Sequence, residues 1–220
     1  GKICFHRDSL VEIIRYGLPS GVQNSVIGIA NLVVQSNINS FGTAAMAGCG
    51  SYSKLEGFAF LPVTCFTQAL STFVGQNLGA GHHDRVKKGV AFGVACSCIM
   101  AELIGGLPYL FAPQLIGFFS ETQEAINFGV SHMRTICLFY CLLAFSHAMA
   151  GIFRGAGKAT VPMFTMLAVW CVGRVAYISV TLRYIYDIAV VFWAYPITWT
   201  ISSVIFLIYF LRVDWIHTFD

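Results

Sequence analysis

The chain has 220 residues, of which 57% are hydrophobic and only 10% are charged, and its formal net charge is +3. This composition excludes intrinsic disorder and an ordinary soluble domain, and it predicts a membrane protein. The basic residues are scattered among apolar stretches and do not form one positive face, so we expect no nucleic-acid partner.

Six apolar stretches are long enough to cross a bilayer as helices. They are residues 17–41, 55–78, 89–111, 125–152, 160–182 and 187–211. A β-barrel would need strands of about ten residues with alternating polarity, and these stretches are too long and continuous for that. The sequence therefore predicts an all-α membrane protein with a six-transmembrane-helix bundle over 17–212. Residues 1–16 form an N-terminal segment or linker, and 213–220 form a tail.

Local sequence adds two expectations about these helices. Ser120 and Gln123 have the spacing of a capping box at the start of the fourth span. Pro62, Pro108 and Pro196 lie inside the second, third and sixth spans, where a proline removes a backbone hydrogen bond. We therefore expect kinks at these three positions.

Charges in the connections predict the orientation of the bundle. Nine of the thirteen Lys and Arg residues lie in the N-terminal segment, after the second and fourth spans, or at the C-terminus, whereas the opposite side has only Lys54 and Arg183. Short loops rich in Lys and Arg remain in the cytoplasm. We therefore expect both termini to be cytoplasmic, with the chain surrounded by the lipid of the cell (inner) membrane.

The first span carries a stripe of carboxamides on one face. Asn24, Asn31, Gln35 and Asn39 follow one another at helical spacing, with Gly28 between the first two. Carboxamides are unfavourable against lipid, so the stripe is expected to face other helices or a water-filled path. Two interpretations remain open: the stripe lines a substrate cavity, or it forms hydrogen bonds that hold helices together.

Ionisable residues inside the spans are the second group of candidate functional residues. By depth in the membrane, Glu102 matches Arg174, and Glu56 matches Arg134, so each pair is a candidate ion pair. The alternative is that these groups couple transport to a proton or substrate. His147, in the fourth span, could also transfer protons, although a single histidine is more often a packing residue.

No sequence motif indicates catalysis or a bound metal. The chain has no phosphate-binding loop, no zinc-binding H-E-x-x-H and no hydrolytic triad, so we expect it not to be an enzyme. Its cysteines lie mainly in apolar runs without C-x-x-C spacing and are expected to be packing residues.

Two loops resemble those of the MATE transporters, the multidrug and toxic compound extrusion family. Residues 74–81 read VGQNLGAG, and residues 153–158 read FRGAGK, followed by Pro162. Gly17-Leu18-Pro19 and the following Gln23 are similar to the start of the seventh helix in bacterial members. The likeness extends over about residues 10–212.

This resemblance implies a twelve-helix antiporter made of two six-helix halves around a central cavity, with this chain as the second half. Members export amphipathic organic cations and drugs in exchange for H⁺ or Na⁺, by alternating access, without another cofactor. The implied partner is an N-terminal half or a second copy of the chain. In that cavity Asn24, Asn31, Gln35 and Asn39 would contact the cationic substrate.

The chain departs from the family at the coupling site. Several members use carboxylates in the first helix of a half or in the fourth helix of the second half. Here the first span has no acid, and the fourth has Arg134 and His147 but no acid below Glu124. The family's cation site therefore cannot be transferred to this half. Two alternatives remain open: the coupling acids lie in the other half, or Glu56 and Glu102 contribute. A different class also remains open: a six-helix membrane scaffold or a flippase-type protein for lipid-linked substrates.

Overall fold

The computed structural model describes residues 7–216, so the ends of the predicted N-terminal segment and tail, 1–6 and 217–220, lie outside the described residues. Within that range the helices are α1 (Arg7–Asn39), α2 (Thr43–Gly79), α3 (His83–Leu110), α4 (Ala112–Gly117), α5 (Gln123–Cys137), α6 (Tyr140–Gly155), α7 (Thr160–Met166), a π-helical segment (Leu167–Gly173), α8 (Arg174–Tyr184) and α9 (Ile188–Arg212).

The six predicted spans correspond to these helices in chain order. Among residues 7–216, four helices are long and apolar enough to cross a membrane: α2, α3, α9 and the continuous helix Thr160–Tyr184, which contains the π-helical segment. A fifth span is the pair α5 and α6, bent by 55°. Helix α1 is 33 residues long but less apolar than α2, α3 and α9, since it carries the carboxamides. The predicted all-α membrane fold is confirmed.

The interruption of the fourth span lies where no proline occurs. Helices α2, α3 and α9 run through Pro62, Pro108 and Pro196 without ending, whereas α5 ends at Cys137 and α6 begins at Tyr140. The predicted capping box at the start of this span was wrong. Thr122, and not Ser120, is the N-cap residue of α5, and its hydroxyl accepts a hydrogen bond from the backbone of Ala125. The hydroxyl of Ser120 lies instead 2.8 Å from that of Ser51 on α2.

Close contacts of small residues hold the centre of the bundle together. Helix α2 packs against α3, α5 and α6. Gly48 of α2 meets the backbone of Ala125 on α5, while Gly151 and Gly155 of α6 meet the backbone carbonyls of Thr67 and Ser71 on α2. Small residues allow helix backbones to approach closely in a membrane. Because the contacts run in the same order along both helices, α2 and α6 are parallel.

The two glycine-rich loops end α2 and α6 with the same type of turn. Gly81 has a φ angle of 71° and Gly157 a φ angle of 76°. Both angles lie in the left-handed conformation that favours glycine. The backbone N–H of the next residue donates a hydrogen bond to the carbonyl five residues earlier, from His82 to Asn77 and from Lys158 to Phe153. This is the Schellman arrangement, which satisfies the last helix carbonyls. The motif glycines therefore end α2 and α6 on the same side of the bundle.

Candidate functional site

A cavity of about 740 Å³ lies between α1, α2, α6, α8, α9 and the π-helical segment. Its volume is typical of a site for a drug-sized molecule. Its wall is made of polar, aromatic and charged side chains, namely Gln23, Asn24, Ile27, Asn31, Ser53, Glu56, Gly57, Phe60, Thr64, Thr67, Gln68, Ser71, Leu143, His147, Arg154, Trp170, Arg174, Tyr195 and Trp199. It is the candidate functional site.

Arg174, the first residue of α8, is the buried cation of this wall. It is only 2% exposed, and its guanidinium donates hydrogen bonds to Thr198 at 3.0 Å and to Asn31 at 3.5 Å. The guanidinium also lies 4.3 Å from the ring centre of Tyr195 and 5.5 Å from that of Trp170. A guanidinium stacked on aromatic rings and bonded to neutral acceptors is held in place but keeps its charge.

Glu56 on α2 is the acid that lines the same cavity as Arg174. The Glu56 carboxylate accepts a hydrogen bond from the Tyr52 hydroxyl at 3.0 Å, and that hydroxyl lies 3.1 Å from the Tyr140 hydroxyl of α6. Tyr52 and Tyr140 are both buried. The carboxylate is therefore hydrogen-bonded to the protein core on one side, and it lines the cavity on the other.

His147 lies in the aromatic part of the wall. Its ring makes edge contacts with Phe60 and Trp170, with ring centres 5.1 and 5.3 Å apart. Trp170 belongs to the π-helical segment that directly precedes Arg174. Such segments are rare and are often found at functional sites, because the extra residue per turn redirects side chains. Here the segment places Trp170 in the wall, and the residue that follows the segment, Arg174, lines the same cavity.

The carboxamide stripe of α1 divides between two environments. Asn24 and Asn31 line the cavity, together with Gln23, which the sequence analysis did not include among the site residues. Gln35 and Asn39 are absent from the wall, and the Gln35 amide donates to the Asn39 side chain at 2.8 Å. The role of all four residues in substrate binding stays a prediction.

The structure pairs the ionisable groups differently from the sequence prediction. Glu102 accepts a hydrogen bond from the backbone N–H of Cys141 at 3.0 Å, and Arg134 is exposed, with its guanidinium 5.7 Å from the ring centre of Tyr109. The acid that shares the cavity wall with Arg174 is Glu56, not Glu102. Depth along each helix carries no information about which helices are adjacent, so it could not predict these neighbours.

Other wall residues were not predicted, because their neighbours in the sequence indicated a loop motif or an ordinary apolar helix. Arg154 was considered only as part of a loop motif, although its side chain lines the cavity. Trp199 and Tyr195 were not distinguished from other aromatic residues of apolar helices. Gln68 is a carboxamide inside the second apolar span, which is the signal that could have marked it.

Helices that are apolar enough to span a membrane and that surround a polar, charged cavity are typical of membrane proteins in which the charged groups have a function, since charges are costly in a bilayer. The sequence pattern that defines the MatE family matches residues 19–178. The chain belongs to the MatE family.

Known proteins that match the chain are transporters and resistance proteins. It is 28% identical over 159 residues to the probable multidrug resistance protein YpnP of Bacillus subtilis, covering 72% of this chain and 36% of that protein. The probable multidrug resistance protein NorM of Thermotoga maritima is 28% identical over 160 residues, with 72% and 34% covered. An outward-facing MATE family transporter superposes with a TM-score of 0.87 at 20% identity, covering 98% of this chain and 49% of that one. The chain thus spans about a third of these relatives and half of the solved transporter.

Proposed function

We propose that the chain is the second six-helix half of a secondary antiporter, which exports organic cations and drugs in exchange for H⁺ or Na⁺ by alternating access. Membership in the MatE family and the half-length match to a solved transporter support this proposal. The observation that carries it is the cavity, where Glu56 and Arg174 lie among aromatic rings on one wall of the bundle.

The cavity wall suits flat organic cations. Phe60, Trp170, Tyr195 and Trp199 present aromatic rings, whose faces attract cations, and Glu56 supplies a negative charge. Dispersion and cation–π contacts depend little on the exact arrangement of a ligand's atoms. Such a wall therefore binds many related compounds with similar strength, as multidrug transport requires.

Glu56 is the residue we assign to ion coupling in this half. It is the only acid in the cavity wall among residues 7–216. A proton or Na⁺ in the cavity therefore has a single carboxylate of this half to bind. A bound cation changes the balance of charge between Glu56 and Arg174. The ion shifts the population of inward-open and outward-open states by the difference in its affinity for them.

In this proposal the cavity is completed by a partner half, supplied by an N-terminal half of the same protein or by a second copy of the chain. Apolar side chains on the outside of the bundle, such as Phe58 and Phe92, are highly exposed and are expected to face lipid. The positive loops support cytoplasmic termini and a position in the inner membrane.

The proposal is tested by ethidium efflux from cells that express the intact natural protein, beside cells that express only this chain. Each strain is measured with and without an uncoupler, and after Na⁺ is replaced by K⁺. We expect efflux from the intact protein that depends on one of the two gradients. Absence of efflux from intact protein correctly inserted in the membrane would contradict drug export and favour the scaffold interpretation.

A further inference from the structure

A second cavity, an open groove of about 530 Å³, lies where the end of α2 meets the start of α3. It is lined by one residue of α2 and five of α3, namely Phe73, Asp84, Arg85, Lys88, Gly89 and Phe92. Phe73 follows Ser71, which lines the central cavity, by two positions, and two helical positions are about 200° apart. The groove is therefore on the other side of α2 from the central cavity, at the outer surface of the bundle.

The floor of the groove is apolar and is formed by close packing of the two helices. A Cβ atom at Gly89 would overlap the ring of Phe73, so the absence of a side chain there lets this ring lie against the backbone of α3. One turn further along α3, a Cβ atom at Gly93 would overlap the side chain of Leu70. Small residues allow such close approach of helices in a membrane. The groove is thus a built feature of the folded bundle.

One face of α3 is basic at its start and apolar beyond it. Arg85, Lys88, Phe92, Ile99 and Leu103 lie within about 60° of one another around the helix. The three apolar residues of this face are 60–72% exposed. From Lys88 to Ile99 the helix rises about 16 Å, which is close to half of the roughly 30 Å hydrocarbon core of a bilayer. The face therefore has the polarity and the length of one phospholipid molecule in one leaflet.

The charges at the top of the groove favour an anion. Arg85 and Lys88 are both exposed, and Asp84 is the acid that lines the groove beside them. Two positive groups and one negative group leave this wall with a net positive charge, and Lys87 in the same turn adds another positive charge nearby. Asp84 can only accept hydrogen bonds when it is ionised, so it suits a ligand that carries hydroxyl donors next to its anionic group.

We propose that this groove binds an anionic phospholipid of the surrounding bilayer, phosphatidylglycerol. Its phosphate lies between Arg85 and Lys88, the hydroxyls of its glycerol headgroup donate to Asp84, and an acyl chain runs over Phe92 toward Ile99. A guanidinium binds a phosphate with two parallel hydrogen bonds, and an ammonium attracts it as a point charge. Basic pockets between membrane helices are known to bind anionic headgroups. This inference is independent of the transport that we propose for the central cavity.

The test is native mass spectrometry of the intact natural protein in detergent, titrated with phosphatidylglycerol or with phosphatidylcholine of the same acyl chains. The groove variant is Arg85→Gln with Lys88→Gln. The matched control is Lys87→Gln with Arg212→Gln, which removes two exposed positive charges outside the groove. We expect the wild type to bind the first phosphatidylglycerol about tenfold more tightly than phosphatidylcholine. The groove variant should lose this preference, and the control should keep it.

A second arm separates a lipid from a free phosphate group. Glycerol phosphate has the anionic headgroup without acyl chains and should not displace the bound phosphatidylglycerol at the same concentration, because it cannot contact Phe92 and Ile99. Phe92→Ser should weaken both lipids several-fold and leave the preference for phosphatidylglycerol unchanged, since it removes apolar contact only.

Three results would overturn the inference. Equal affinity of the wild type for the two lipids would show that the groove does not select an anionic headgroup, and this result needs no variant. Equal losses in the groove variant and in the control would assign the preference to the overall positive charge of the protein. Displacement of the lipid by glycerol phosphate would show that the site binds a soluble anion and not a phospholipid.

Discussion

Glu102 of α3 accepts a hydrogen bond from the backbone N–H of Cys141, the second residue of α6, at 3.0 Å. The first N–H groups of a helix have no partner within the helix, and a break inside a membrane leaves them without water. No side chain caps α6 from its own N-cap residue, Phe139. A carboxylate from the neighbouring helix therefore stabilises the bend of the fourth span, which explains an acid at this depth without ion coupling.

Replacing Glu102 is expected to destabilise the bend. Glu102→Ala should lower the free energy of unfolding by about 1.5–3 kcal/mol, because a hydrogen bond to a charged acceptor is lost. Glu102→Gln keeps a side-chain carbonyl as acceptor and should lose less. Chemical unfolding of the protein in detergent micelles measures both, with Glu121→Ala, at an exposed position, as the control. Equal losses for Ala and Gln would show that this hydrogen bond is not what stabilises the bend.

The close approach of α2 and α5 predicts a second effect on stability. A Cβ atom at Gly48 would overlap the backbone of Ala125 and Gly129, so the helices must separate. We expect Gly48→Ala to cost about 1–3 kcal/mol, as overpacking usually does. At Gly50, in the same helix, a Cβ atom meets open space, so Gly50→Ala is the matched control and should be neutral or stabilising. Similar unfolding midpoints for the two variants would contradict the packing.

The two Schellman turns predict that their glycines are required. Both glycines have a left-handed backbone conformation. Gly81→Ala and Gly157→Ala place a Cβ atom in that conformation, which costs about 1–2 kcal/mol each. Gly79→Ala, two residues before Gly81 and within α2, has open space and should be tolerated. Thermal unfolding of the three variants distinguishes these expectations. A loss at Gly79 equal to that at Gly81 would rule out backbone conformation as the cause.

The pairing of Glu56 with Arg174 is tested by a double-mutant cycle. The two charged residues line the same cavity. The variants Glu56→Gln, Arg174→Met and their combination should therefore show a coupling of about 0.5–3 kcal/mol in the free energy of unfolding. A parallel cycle of Glu102→Gln with Arg174→Met should be additive within about 0.5 kcal/mol.

Arg183→Met is the control for losing a cation, since this residue is exposed in the last turn of the same helix. Coupling of Arg174 with Glu102 and none with Glu56 would favour the pairing suggested by membrane depth over the one in the structure.

The spans could be predicted from the sequence because the length of an apolar run is read from contiguous residues, without knowledge of the neighbouring helices. Lateral neighbours depend on how the helices pack, and for this reason Glu102 and Arg174 were paired by depth alone. The α1 stripe shows the same limit. Asn24 and Gln35 share a helix face, yet the cavity covers only the first of them.

The bend of the fourth span and the position of Arg154 could not be predicted from the apolar pattern of the sequence either. The bend between α5 and α6 occurs at Leu138 and Phe139, without a proline or glycine that would have marked it. Arg154 was recognised within a loop motif, but its place in the cavity follows from the parallel packing of α2 and α6. That packing depends on contacts between Gly151 and Thr67, residues far apart in the sequence.

The most direct test of the account is gradient-driven ethidium efflux by the intact natural protein carrying Glu56→Gln. Glu124→Gln serves as the matched control, because Glu124 is an exposed acid in the first turn of α5 and outside the cavity. Membrane levels of both variants are measured by immunoblot. We predict that Glu56→Gln abolishes efflux and Glu124→Gln does not. Efflux by Glu56→Gln at the wild-type rate, with the same response to the uncoupler, would contradict the assignment of this cavity to coupled transport.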